Sequence, residues 1–295
     1  MSSLMLLFPL MAQVGASSSV TGIGTPYASA LPIEIVEKKE EQARRAREAQ
    51  TVALPSARGQ TGCMSAIAQD PQKAADGARA ALVEAIGRER VRAGLCLGAA
   101  LSDLGQWGDA REAFVAARDA ADPEDHLTHA RLGAMAGNAA LAGGDASQAL
   151  LLLAPAQAAA RQSGEADLMA SIALDRARAL VAINQPDDAA RALADAREAE
   201  PGNAQAWLLS ATLSRRQEKL IEAQAQIEKA AELAPRDPAI GLEAGVISML
   251  SGNATSARRS WNSVLALAPE SAEAKTARDY LDQLGPAPAV NPATP

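Results

Sequence analysis

Aromatic side chains are nearly missing from this chain, Phe, Tyr and Trp together making up 2% of its 295 residues. A core made almost without them is filled by Ala, Leu, Ile and Val, and small side chains suit helices that approach one another closely. Strand-forming material is almost absent as well. Basic charge is in deficit: the net charge is −7 and the sequence pI about 5.1, which leaves no footprint for general phosphate-backbone binding and argues against a nucleic-acid partner. No segment reaches the roughly 20 apolar residues that a membrane-spanning helix needs, so no integral membrane segment is expected once a leader is removed.

The sequence also lacks the usual catalytic constellations. No Gly-rich phosphate loop follows a strand, and neither a Ser-His-Asp set nor a Cys-His pair can be assembled. Gly143-Gly144 sits where two helices turn. The two histidines, His126 and His129, stand beside Glu124 and Asp125. A metal site needs three or four convergent ligands, so this group reads as a solvated helix start. The expectation is a chain with no enzymatic activity, no cofactor and no metal.

What the chain does have is a period. Leu193, Ile227 and Trp261 lie 34 residues apart in succession, and so do Ala189, Ala223 and Ala257, and Pro201, Pro235 and Pro269. The clearest copy runs from Asn203 to Asp237 and reads as two amphipathic helices, one carrying Trp207, Leu208 and Ala211, the other Ala223, Ile227 and Ala230. A period of this size marks stacked helical pairs, each contacting only its neighbours, so length counts repeats rather than domains.

The ends differ from the array. Residues 1–16 hold an apolar run, Leu4 to Val14, followed by the small residues Gly15 and Ala16, and this reads as a secretory leader although no Lys or Arg precedes the run. Residues 17–32 are Ser-, Gly-, Thr- and Pro-rich linker, and 33–50 form a charged helical arm with acids leading and arginines trailing, the order that opposes a helix dipole; linker and arm together occupy 17–60. Residues 61–90 read as a degenerate helical half-repeat whose second helix runs from Pro71 to about Gly87. The tail, 285–295, has the composition of a disordered segment.

From Val91 the sequence VRAGLCLGAALSDLGQWGDAREAFVAARDAADP resembles the tetratricopeptide repeat, with Leu97-Gly98, Gly105, Trp107, Ala110, Phe114, Ala117 and Pro123 at or within one place of that family's signature positions. Gly98 and Ala110 mark near-contact of two helices, Gly105 their turn, and Phe114 the filler beside the small residues. The resemblance implies an all-α, right-handed superhelix, an α-solenoid of about five helix-turn-helix repeats over 91–124, 130–163, 170–203, 204–237 and 238–271, with a capping helix at 272–284. Ala110, Ala149 and Ala189 are spaced by 39 and 40 residues, so extra residues enter around 125–129 and 163–167 as longer helix ends or loops.

In that family the first helix of each unit lines a groove for protein or peptide partners. Carried over position by position, this selects Arg92 and Asp103, Arg131 and Asn138, Asp175 and Arg178, Gln205, Thr212, Arg215 and Arg216, and Glu243 and Val246, with Asn138 where relatives hold a peptide backbone. The Lys-Asn pairing that clamps a C-terminal carboxylate in chaperone-binding members is missing. Four arginines, Arg131, Arg178, Arg215 and Arg216, imply an acidic partner, since guanidinium groups take carboxylates bidentately.

The resemblance therefore implies a scaffold or adaptor, or alternatively an accessory subunit of a cell-envelope enzyme or secretion or assembly complex. Cys63 and Cys96, almost one repeat apart, leave two readings open: a disulfide worth about 3 to 4 kcal/mol in a periplasmic or secreted protein, or two reduced thiols in a cytoplasmic one.

Overall fold

The structure is a computed structural model that describes residues 60–285. The leader, linker and charged arm expected before residue 60, and residues 286–295 of the tail, lie outside the described residues. The chain divides into two compact units at Asp70 and Pro71. The described part of the first unit is one helix, α1 (Gln60–Gln69). Both cysteines, Cys63 and Cys96, are disulfide-bonded, and no free thiol occurs among the described residues.

The second unit is built from α2 (Pro71–Leu82), α3 (Gly87–Asp103), α4 (Trp107–Asp119), α5 (His126–Ala142), α6 (Ala146–Ser163), α7 (Ala166–Ala182), α8 (Pro186–Ala199), α9 (Ala204–Arg216), α10 (Leu220–Leu233), α11 (Pro238–Leu250), α12 (Ala254–Leu267) and α13 (Ala272–Leu284). Among the described residues there is no strand. Helices pair as α3–α4, α5–α6, α7–α8, α9–α10 and α11–α12, each hairpin packing on the next. Helix α2 packs on α3 at one end, and α13 lies against α12 and α11 at the other. The result is an all-α solenoid of five helical hairpins.

Three local devices set this geometry. The first is the close approach of the two helices in a hairpin. A Cβ at Gly98 would stand 2.5 Å from the Phe114 ring, and one at Gly137 2.5 Å from Leu153 Cδ2. At Gly245 it would run into the Trp261 indole. Where the facing residue is Leu193 or Ile227, the equivalent position holds Ala177 or Ala211 instead, and both alanines are buried. Glycine therefore faces the ring residues Phe114 and Trp261, and Leu153 as well.

The second device is the turn between the helices of each pair. Gly105, Asn184, Glu218 and their equivalents Gly144 and Gly252 all have positive φ, the left-handed region in which a Cβ is disfavoured. The third is capping of three of the leading helices, α5, α9 and α11. Asp125 accepts from Thr128 N–H at 3.0 Å, Asn203 from Ala206 N–H at 3.1 Å and Asp237 from Ala239 N–H at 2.8 Å, each satisfying one of the orphan donors of a helix start.

The sequence spacing of 39 and 40 residues is absorbed mainly by longer helices. Helices α5, α6 and α7 have 17, 18 and 17 residues, against 13 or 14 in each of α9 to α12. Pro155 lies inside α6 on its exposed side. There the carbonyl of Leu151, which the ring deprives of a helix donor, can turn to water. Helix α2 ends at Leu82, short of the expected Gly87. The intervening turn is closed by Val83 N–H to the Ala80 carbonyl and Ala85 N–H to the Ala81 carbonyl, and Gly87, with φ of 50°, opens α3.

Candidate functional site

The leading helices of the hairpins, α3, α5, α7, α9 and α11, carry the side chains selected from the sequence. On α5, Arg131, Met135 and Asn138 recur at helical spacing and are all exposed, so they form one stripe along the helix. Arg178 on α7, Gln205 and Arg216 on α9, and Met249 and Leu250 at the end of α11 continue the open surface. Arg92 and Asp103 on α3 are exposed, while Thr212 and Val246 are half-buried.

Asp175 is not on this surface. Its side chain is only 3% exposed, enclosed between α5 and α7. Asn138 donates its Nδ2 to Asp175 Oδ2 at 2.7 Å, and Arg178 donates Nη1 to Asp175 Oδ1 at 2.5 Å. Burial pushes the Asp175 carboxyl above the usual carboxylate range, against the opposing pull of the Arg178 guanidinium and the two hydrogen bonds. The carboxylate thus ties one leading helix to the next and holds two exposed side chains, Asn138 and Arg178.

A second acid does related work two repeats further on. Arg215 of α9 donates Nε to Glu243 Oε1 of α11 at 2.6 Å and Nη2 to Glu243 Oε2 at 3.4 Å, with the two side chains 23% and 13% exposed. Tyr280 of α13 lies within reach of the pair. Burial raises its phenol above the usual value, the Arg215 guanidinium opposes that shift, and Glu243 and Asp279 add to it.

The four arginines expected at the groove stand in two different settings. Arg178 and Arg215 are each engaged by a carboxylate of the chain itself. Arg131 and Arg216 are exposed and form no ion pair among the described residues. Two features of the surface were not anticipated. Met135 is 40% exposed in the middle of the α5 stripe, a register that reads as one more apolar residue of an amphipathic helix. Asp175 was expected to line the open face. The period gives no single signal for its burial, since the same position is the exposed Met135 one repeat back and the half-buried Leu209 one period on.

Trp207 is half-buried and sits under Arg197, whose guanidinium carbon lies 4.8 Å from the ring centroid. Its indole N–H donates to the Pro201 carbonyl at 3.0 Å. Ile227, 1% exposed, fills the core position of the repeat. His129 Nε2 lies 3.1 Å from the Asp122 carbonyl. Among the described residues no group of three or more His, Cys, Asp or Glu is placed to hold a metal ion, and no helix is long and apolar enough to cross a membrane.

No family model matches this sequence, and neither does any curated protein. Solved structures do match in fold. PilW, described as a widely conserved type IV pilus biogenesis factor, is 18% identical with a TM-score of 0.59, covering 72% of this chain and 94% of its own. BtubC from P. vanneervenii is 14% identical with a TM-score of 0.58, over 77% of this chain and 95% of its own. Pseudomonas aeruginosa PilF is 13% identical with a TM-score of 0.57, over 74% and 94%. At these identities the likeness is one of fold, and the fold is the tetratricopeptide-repeat solenoid.

Proposed function

We propose that this chain is a non-catalytic interaction scaffold that holds a protein or peptide partner along the face made by its leading helices. The observation that carries the reading is the exposure, on successive leading helices, of side chains able to contact a ligand: Arg131, Met135 and Asn138 on α5, Arg178 on α7, and Gln205 and Arg216 on α9. Trailing helices α8 and α10 carry solvated charge pairs, Arg191–Asp188 and Lys229–Glu232. Pairs of that kind add little to stability or recognition.

A photo-crosslinking residue at Gln205 tests the reading, with one at Glu228 on the exposed side of α10 as the control. Crosslinking in cells is expected to yield one identified partner from position 205 and not from 228. Equal yield from both, or yield from 228 alone, overturns it.

A second reading, that the chain is an accessory or regulatory subunit of a cell-envelope enzyme or of a secretion or assembly complex, is favoured by the disulfide, which suits an oxidising compartment. The description of PilW as a pilus biogenesis factor is in keeping with it. On this reading the chain works in the periplasm or outside the cell. It co-purifies with a catalytic or structural partner at fixed stoichiometry, and a chain that elutes alone from gently solubilised envelopes argues against it.

A further inference from the structure

A carboxylate with 3% exposure between two packed helices is a costly thing to place there. The neighbouring repeat shows that the fold does not require it, since the equivalent position is Leu209. What Asp175 changes is the state of two surface groups. Asn138 spends one N–H of its amide on Asp175 Oδ2, so on this exposed residue the carbonyl oxygen, which has no hydrogen-bond partner among the described residues, is left free to accept. Arg178 spends Nη1 on Asp175 Oδ1 and keeps Nε and Nη2 as donors, while its charge is compensated within the junction. An acceptor and a donor therefore stand side by side, bound to the two oxygens of one carboxylate. A free guanidinium favours a carboxylate, whereas a guanidinium already paired with an acid favours a neutral acceptor. The exposed Met135 thioether, three residues from Asn138 on the same stripe, gives an apolar side chain a place to rest.

We propose that Asp175 is a positioning residue of the groove: it holds the Asn138 amide with its carbonyl free to accept and takes up the charge of Arg178, so that the junction of α5 and α7 receives the main-chain amide of an extended, uncharged peptide segment rather than a carboxylate. The inference rests on the groove reading given above and narrows it, because it sets aside the acidic partner that the arginine count alone implies.

The test uses the full chain and two sets of capped synthetic 12-residue peptides on one Ala, Ser, Gln and Leu scaffold, one set uncharged and the other carrying two glutamates. Binding is followed by fluorescence polarisation at low and high salt. The wild-type chain is expected to prefer the uncharged set with little salt dependence. Asp175→Asn keeps the shape and removes the charge. It is expected to shift the preference towards the glutamate set by about tenfold and to make that binding salt-sensitive, while Asp175→Glu restores the wild-type ranking.

Asn138→Ala, a surface change on a helix, serves where Asp175→Asn unfolds. It should weaken the uncharged set about fivefold, the scale of one hydrogen bond, and leave the glutamate set unchanged. A folded Asp175→Asn chain with unaltered ranking and salt dependence overturns the positioning role while leaving the groove intact, and so does an Asn138→Ala chain that binds the uncharged set as before. A wild-type chain that prefers the glutamate set overturns it too. A wild-type chain that binds neither set, with no crosslink from position 205, overturns the groove reading itself.

Discussion

At the α5–α7 junction an acid is buried to 3% exposure and both its partners reach the surface, one from each helix. At the α9–α11 junction the acid, Glu243, occupies the equivalent position two periods later. There a single arginine from the preceding leading helix grips it through two bonds and is itself mostly buried. The first arrangement leaves its polar partners half in water, able to be rehydrated when the acid is removed. The second encloses both charges. The difference separates a buried acid whose two partners stay open to water from an ion pair enclosed with its acid, although both acids bridge successive repeats from one position of the period.

The same substitution at both sites should break them apart most widely. Replacing one member of an enclosed pair strands the other, and Glu243→Leu leaves the Arg215 guanidinium desolvated. The expected loss, reduced from the full buried-pair cost because water still reaches the site, is about 2 kcal/mol. Asp175→Leu copies Leu209 and releases Asn138 and Arg178 to solvent, so stability should change by less than about 0.5 kcal/mol or rise slightly. Urea unfolding of the two variants reads this directly. Equal losses would mean that the two acids do one job.

Titration sharpens the contrast next. The folded-state pKa of Asp175 is raised above 3.8, its ordinary value. Above the raised value the folded chain carries the full cost of a buried charge. As pH falls through the raised value towards 3.8 the folded state takes up a proton before the unfolded state does, and that cost is relieved. Wild type should therefore gain on Asp175→Asn as pH falls through this window. The two should run parallel above it. Thermal melts of both chains across the acid range check the sign; a difference that stays constant, or that moves against wild type as pH falls, contradicts the enclosed carboxylate.

Much of this architecture was legible in the sequence because repetition makes each position visible several times. Ala177 and Ala211 announce where helices touch, Gly98 with Phe114 announces where a ring needs more room, and the 34-residue spacing of Leu193, Ile227 and Trp261 gives the period. The candidate site was less legible, for a physical reason. A period states which side of a helix a residue occupies, but not whether a polar group there is solvated or paired across to the next repeat. Arg215 and Glu243 are 28 residues apart, and Asn138 and Asp175 are 37. Neither pairing leaves a local trace. Trp207 shows the same limit, since its stacking under Arg197 is visible only in the structure.

The smallest expected effects lie in the turns that follow α7 and α9, and they carry the comparison into the backbone. Asn184 and Glu218 take φ of 59° and 63° at the position where three other hairpins have glycine. Asparagine tolerates the left-handed region because its short side chain can bond locally, whereas glutamate has no such compensation. Glu218→Gly should therefore stabilise the chain by about 1 kcal/mol, the relieved strain outweighing the extra freedom of glycine in the unfolded state, and Asn184→Gly by no more than a few tenths. Paired urea titrations resolve the difference. If the two substitutions shift the midpoint equally, side-chain identity at the turn is immaterial and the hairpins α7–α8 and α9–α10 are held by their helix seams alone.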